Sequence, residues 1–179
     1  QPTSVFVWKN LSTGSTYAST TNTLQLSPSD SSPDDTISCE VTVTDSDGGT
    51  DSLSDIVVVI NTDPTFTAVA TITTPGTKVG DTLSCSASGS DQDDGVLSHS
   101  YQWENGNGVA MGSGSTLVIT ATNSTPNMVI ICMATLTDSD GASVSSSDSV
   151  TVQYTIPAFD VAASISPSTG VLTSSTLMC

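Results

Sequence analysis

The chain of 179 residues contains no arginine, and Lys9 and Lys78 are its only lysines, against 18 Asp and Glu and a formal net charge of −16. That balance excludes nucleic acid as a partner, because phosphate binding draws its affinity from Lys and Arg displacing counterions. It excludes docking on an anionic membrane surface for the same reason. No apolar run approaches the ~20 residues that a membrane-crossing helix needs, so no membrane span is expected. One histidine, His99, and four widely separated cysteines cannot supply the closely spaced Cys and His pairs of a zinc site. Aromatic residues are few and Ser and Thr abundant, a balance that also occurs in disordered chains. The apolar residues are nevertheless β-branched and regularly spaced, as in Ile56-Val57-Val58-Val59-Ile60, which indicates a folded all-β chain. No leader segment is seen and Gln1 is not an initiator, so the chain is expected to be a mature or excised piece.

The cysteines stand at 39, 85, 132 and 179, at intervals of 46, 47 and 47. Such even spacing in a Ser/Thr-rich chain reads as disulfides, and disulfides as an oxidising, extracellular setting. The same spacing exposes an internal repeat. Trp8 matches Trp103 (95 apart), Cys39 matches Cys132 (93 apart) and Cys85 matches Cys179 (94 apart). Val43-Thr44-Asp45-Ser46-Asp47-Gly48 parallels Leu136-Thr137-Asp138-Ser139-Asp140-Gly141, and Pro64-Thr65-Phe66 parallels Pro157-Ala158-Phe159.

The repeat is out of phase with the chain ends, which divides the chain into 1–61, 62–154 and 155–179. Residues 4–9, 37–43 and 56–60 read as strands C, F and G of a first copy, with Leu24 and Leu26 marking strand E. The Asp-Gly between F and G is a hairpin turn signal. Asn61-Thr62-Asp63-Pro64 is a linker, whose proline breaks any ladder. The second copy has A around Phe66–Ile72, B at 82–87, C at 99–104, a loose Gly-rich stretch at 105–115, E at 117–120, F at 129–137 and G at 149–153. Residues 159–179 repeat strands A and B of a further copy.

Cys85, Trp103 and Cys132, each on a strand of period-2 pattern, resemble the pivots of an immunoglobulin-like sandwich. The F–G hairpins, the Asn-Thr-Asp-Pro linker and the Leu83–Gly95 segment are similar to tandem Ig-like repeats of giant bacterial extracellular proteins, which serve as surface stalks, adhesins or filaments. The resemblance implies tandem Ig-like β-sandwiches, one complete domain flanked by two complementary partial ones. It implies a Cys85–Cys132 disulfide beneath Trp103. It does not choose between spacing, adhesion and recognition, since one sandwich serves all three.

The only constellation of chemical interest is acidic. In an Ig-like sandwich the B–C and F–G loops share one end, so Asp91, Asp93 and Asp94 are expected to meet Asp138 and Asp140 near Asp63. Hard oxygen ligands at a junction suit Ca²⁺, which takes 6–8 oxygens. The competing reading is that these aspartates form turns and stay solvated. No cofactor is otherwise indicated. No cleft, sugar platform or buried carboxylate pair suggests an enzyme, and His99 beside Ser100 reads as a surface or packing site. Asn10-Leu11-Ser12 and Asn123-Ser124-Thr125 fit the N-glycosylation pattern, set against chance in a Ser/Thr-rich chain.

The expected role is a structural subunit of an extracellular filament or stalk, the alternative being an adhesin whose loops bind a glycan or a partner protein. Two repeats of about 94 residues (positions 85 to 179 span one) would need 188, nine more than the 179 present. The absent piece aligns with the acidic B–C loop. Residues 155–179 of one unit are therefore expected to complete residues 1–61 of the next, head to tail, with Cys39 bonded to Cys179 between units or with the units joined in one continuous polyprotein.

Overall fold

The computed structural model describes residues 2–179. Among these the fold is all-β, with twelve strands and no helix. In chain order the strands are β1 (Thr3–Asn10), β2 (Ser15–Thr16), β3 (Thr36–Thr44), β4 (Thr50–Val58), β5 (Thr65–Thr73) and β6 (Thr82–Asp91). They continue as β7 (Gly95–Val96), β8 (His99–Asn105), β9 (Ala110–Ser113), β10 (Thr116–Val118), β11 (Val129–Thr137) and β12 (Ser143–Thr151). All pairings are antiparallel, in three sheets ordered β2-β1-β3-β4, β10-β6-β5 (with β7 on β6) and β12-β11-β8-β9.

The second and third sheets share one core, an arrangement consistent with a β-sandwich. On β11 the period-2 pattern turns Ile130, Cys132, Ala134 and Leu136 inward, each at 0% exposure. Leu83, Cys85, Trp103, Ile119 and Val152 complete the cluster. Cys85 and Cys132 are joined by a disulfide across the two sheets, with Cα atoms 6.4 Å apart. Trp103 is fully buried, and its indole N–H is satisfied by Gly114 O at 2.8 Å. Gly89 admits Leu136 against the backbone of β6: a Cβ there would lie 2.1 Å from Leu136 Cδ1 and 2.6 Å from Thr65 O.

The first sheet repeats the third strand for strand. Trp8 faces Cys39 and Cys39 faces Asp55, as Trp103 faces Cys132 and Cys132 faces Asp148. Trp8 N–H donates to Thr21 O at 2.9 Å, and 21 + 93 = 114, the position that receives the Trp103 N–H. Asp34 and Asn127 (34 + 93 = 127) both have φ of 66°, a left-handed turn conformation that Asp and Asn tolerate. What the first sheet lacks is a facing sheet.

Several sequence expectations shift accordingly. Leu24 and Leu26 form no strand. Of their counterparts, Leu117 forms one by pairing with β6, while Ile119 lies just past the end of β10, and among the described residues the first sheet has no such partner. The G strands begin six residues earlier than expected, at Thr50 and Ser143. Their serine-rich first halves carry little apolar signal and are held by ladder bonds to β3 and β11. The Gly-rich stretch after Asn105 contains β9, which pairs with β8. Residues 155–179 contain no strand, only an isolated bridge between Ser166 and Met178.

Candidate functional site

Among the described residues the first sheet presents an apolar face that no other sheet covers. Ile37 at one end is 2% exposed, but Val43 is 41%, Leu53 74% and Val57 59% exposed. Leu136 and Val150, the counterparts of Val43 and Val57, are buried or packed on the core, while the counterpart of Leu53 is Ser146. Every residue of β4 is exposed, whereas β12 alternates between exposed and half-buried. An open groove of about 180 Å³ runs along this face between Trp8, Ile37, Cys39, Asp55, Ile56 and Val57. Cys39 is half-buried there with a free thiol.

The tail also exposes apolar residues whose counterparts are buried. Leu177 is 49% exposed while its counterpart Leu83 (177 − 94 = 83) is at 0%. Phe159 is 97% exposed and Cys179 is an exposed free thiol. The tail already bends as its counterpart does. Ser166 and Met178 exchange two backbone hydrogen bonds of 2.9 Å. With 166 − 93 = 73 and 178 − 94 = 84, this is the Thr73–Ser84 register of β5 and β6. The turn agrees as well. Leu172 N–H donates to Ser175 Oγ at 2.8 Å and Ser175 N–H to Leu172 O at 2.9 Å. At the equivalent positions Lys78 N–H donates to Asp81 Oδ2 at 2.8 Å and Asp81 N–H to Lys78 O at 3.0 Å.

At the linker the structure brings most of the expected aspartates near one another, but as acceptors for the chain itself. Thr62 donates its N–H and its hydroxyl to Asp93 Oδ2, both at 2.8 Å, and its hydroxyl also reaches Asp91 Oδ1 at 3.3 Å. Asn61 Nδ2 donates to Asp138 Oδ2 at 2.9 Å. Ser139 donates its N–H and hydroxyl to the two oxygens of Asp94, at 2.7 and 2.8 Å. Asp138 Oδ1 caps its own turn, accepting from the N–H of Asp140 and of Ala142. Asp63 is exposed and stands outside this network. Among the described residues no three carboxylate, Cys or His side chains form a metal-holding group. Of the six aspartates proposed for calcium, Asp91, Asp93, Asp94 and Asp138 direct oxygens at linker and turn donors.

The junction balances two opposite electrostatic effects. The Asn61 amide, together with the N–H groups of Ala142, Gly141 and Asp140, outweighs desolvation and holds Asp138 below the usual carboxylate range. Asp140 is pushed up by desolvation, then by the charges of Asp138, Asp94 and Asp34. Asp138 thus stabilises the fold above the ordinary carboxylate pKa and loses that contribution as pH falls through its lowered value. Ionised Asp140 opposes folding above its raised pKa and ceases to do so in acid. Asp138→Asn is expected to lower the melting temperature at neutral pH and Asp140→Asn to raise it, with both differences disappearing at strongly acidic pH. Melting curves by circular dichroism across pH check both signs.

The glycosylation candidates occupy different settings. Asn10 is at 0% exposure, with Nδ2 donating to Asp35 Oδ2 at 2.7 Å and Oδ1 accepting from Ser12 and Thr13 N–H. Both ends of the Asn10 amide are thus engaged within the fold. Asn123 is half-buried, with Nδ2 on Val118 O at 3.1 Å and Oδ1 accepting from Thr120 N–H. His99 lies exposed at the start of β8 with its ring edge-on to Tyr101, centroids 5.0 Å apart. That contact is packing, in keeping with its expected surface role.

In comparison with known proteins, no family model matches the chain and no curated protein sequence is significantly similar to it. Among the described residues no helix is long and apolar enough to cross a membrane. The Cys85–Cys132 disulfide fits an oxidising compartment.

Proposed function

We propose that the chain is a non-enzymatic structural subunit of an extracellular filament or stalk, built from tandem Ig-like sandwiches. In this reading the hairpin 159–179 of one copy covers the bare face of residues 3–58 of another, completing a second sandwich between copies. The observation that carries it is the shared register. A free Cys39 sits in a groove where Cys132 sits in the complete unit, and a free Cys179 ends a segment bent like the one that carries Cys85. Transferring the observed pairing gives Leu24 opposite Leu177 (from Leu117–Leu83) and Thr23 opposite Met178 (from Thr116–Ser84). The stretch around Leu24 would then gain the ladder it lacks. Covering an apolar face at about 25 cal/mol per Å² is the driving term, and removing open strand edges adds to it. The interface joins two different surfaces, so unless its rotation closes a ring it propagates as a filament.

The two thiols join by exchange with a small disulfide, which takes up their two protons and two electrons and leaves as two thiols. Incubating the purified chain with oxidised glutathione should give a ladder on non-reducing electrophoresis that collapses to one band on reduction. Peptide mapping should find Cys39 bonded to Cys179, electron microscopy should show fibres, and Cys39→Ser should abolish the ladder. A monomer in both lanes with both thiols unbonded to each other would overturn the reading.

A further inference from the structure

In the complete unit, strand β5 is held to β12 by side chains rather than by a ladder. Asp148 Oδ2 accepts the backbone N–H of Ile72 at 2.8 Å, and Ser146 Oγ accepts that of Ala70 at 3.2 Å. Asp148 is fixed in this pose by its other oxygen, which accepts from Ser149 N–H at 2.8 Å. The geometry is a two-point clamp between sheets. On one sheet Cys132 and Asp148 are register partners, and on the other Ile72 and Cys85 are. The disulfide joins the cysteines while the carboxylate takes the N–H of Ile72.

The first sheet holds half of that clamp with nothing in it. Cys39 and Asp55 are register partners (55 + 93 = 148) and line the same groove. Asp55 Oδ1 accepts from Ile56 N–H at 2.9 Å, the same fixing bond that orients Asp148. In the tail, Ser166 corresponds to Thr73 and bridges to Met178, so by the β5–β6 register Ile165 corresponds to Ile72 and Cys179 to its partner Cys85. We infer that Asp55 is the receptor for the backbone N–H of Ile165 of a second copy, and that with Cys39 it fixes the register of the incoming hairpin. This rests on the assembly reading above and adds to it a positioning residue and the group that residue recognises.

Register matters because a one-residue slip turns every side chain of a strand to the wrong face. A disulfide alone tolerates some sliding of segment 159–166, since it anchors only the other arm of the hairpin. A carboxylate that accepts one defined N–H does not. Hydrogen bonds to a charged acceptor are worth enough to change an equilibrium by about tenfold or more.

The test uses the full-length chain with oxidised glutathione as the disulfide. The rate of Cys39–Cys179 formation is read by non-reducing electrophoresis with peptide mapping. Asp55→Ala is expected to slow it about tenfold, and Asp55→Asn, which keeps a carbonyl acceptor, less. In assembled wild type the Ile165 amide should be protected from hydrogen exchange, and in cross-linked Asp55→Ala it should not. The melting of the Cys85–Cys132 unit should be unchanged in both variants, which shows that they fold. Asp148→Ala, which should expose the Ile72 amide within a single chain, calibrates the exchange measurement. If wild type forms no Cys39–Cys179 bond, the assembly reading fails and this inference falls with it. If wild type cross-links but Asp55→Ala does so at the same rate with Ile165 still protected, assembly stands and the role of Asp55 is overturned.

Discussion

Replacing Cys85 and Cys132 together by alanine is expected to lower the stability of the two-sheet unit by about 4 kcal/mol. The bond closes a loop with a sequence separation of 47, and in the chain-entropy model a loop of that size restricts the unfolded chain by about this amount. Native domains are stable by only about 5–15 kcal/mol, so the unit would be left near its folding threshold. Both sulfurs lie in the core, Cys85 at 4% and Cys132 at 0% exposure, so removing them also costs contacts with Trp103 and its neighbours. Denaturant unfolding followed by Trp103 fluorescence, in a Trp8→Phe background, measures the loss. A midpoint unmoved by the double substitution would show that packing alone holds the two sheets together.

How far the sequence discloses this fold depends on where side chains meet. Cys85, Trp103 and Cys132 were legible because each stands on a strand with a buried face, and burial of that face imposes alternation that composition cannot hide. The repeat was legible because Trp8, Cys39 and the Asp-Ser-Asp-Gly turns recur at one spacing. The G strands were misplaced because Ser143–Ser149 and Thr50–Asp55 carry few apolar residues, and their strand state comes from ladder bonds to β11 and β3. The segment at Leu24 and Leu26 is no strand for the converse reason: it has the right alternation, but alternation cannot supply a neighbour to bond with. The acidic junction shows the limit for sites. Spacing placed Asp91, Asp93, Asp94, Asp138 and Asp140 at one end, but not the Thr62, Asn61 and Ser139 donors that occupy their oxygens. The groove at Cys39 had a signal, the unpaired cysteine, whereas Asp55 had none. Only its equivalence to Asp148, whose bond to Ile72 N–H is a tertiary fact, gives it a role.

A matched pair of tryptophan substitutions separates the two-sheet unit from the first sheet. Trp103→Ala removes a side chain at 0% exposure and leaves Gly114 O without its indole donor. Deletions of buried aromatic side chains cost about 3–5 kcal/mol, from lost burial plus the cavity left behind. Trp8 occupies the same register opposite cysteine and makes the same bond, to Thr21 O, but it is only half-buried. No sheet lies over it, so Trp8→Ala leaves no enclosed cavity, and its cost in the single chain is expected to be about 1–2 kcal/mol. If a second copy's hairpin covers that face, Trp8 acquires the surroundings of Trp103, and the two substitutions should converge in assembled material. Hydrogen exchange of the β3 and β11 amides, measured before and after oxidative assembly, reads the two sites separately. Convergence after assembly is the expected outcome. A Trp8→Ala effect that stays small in cross-linked fibres would mean that the copies are joined at Cys39 without the hairpin packing on Trp8.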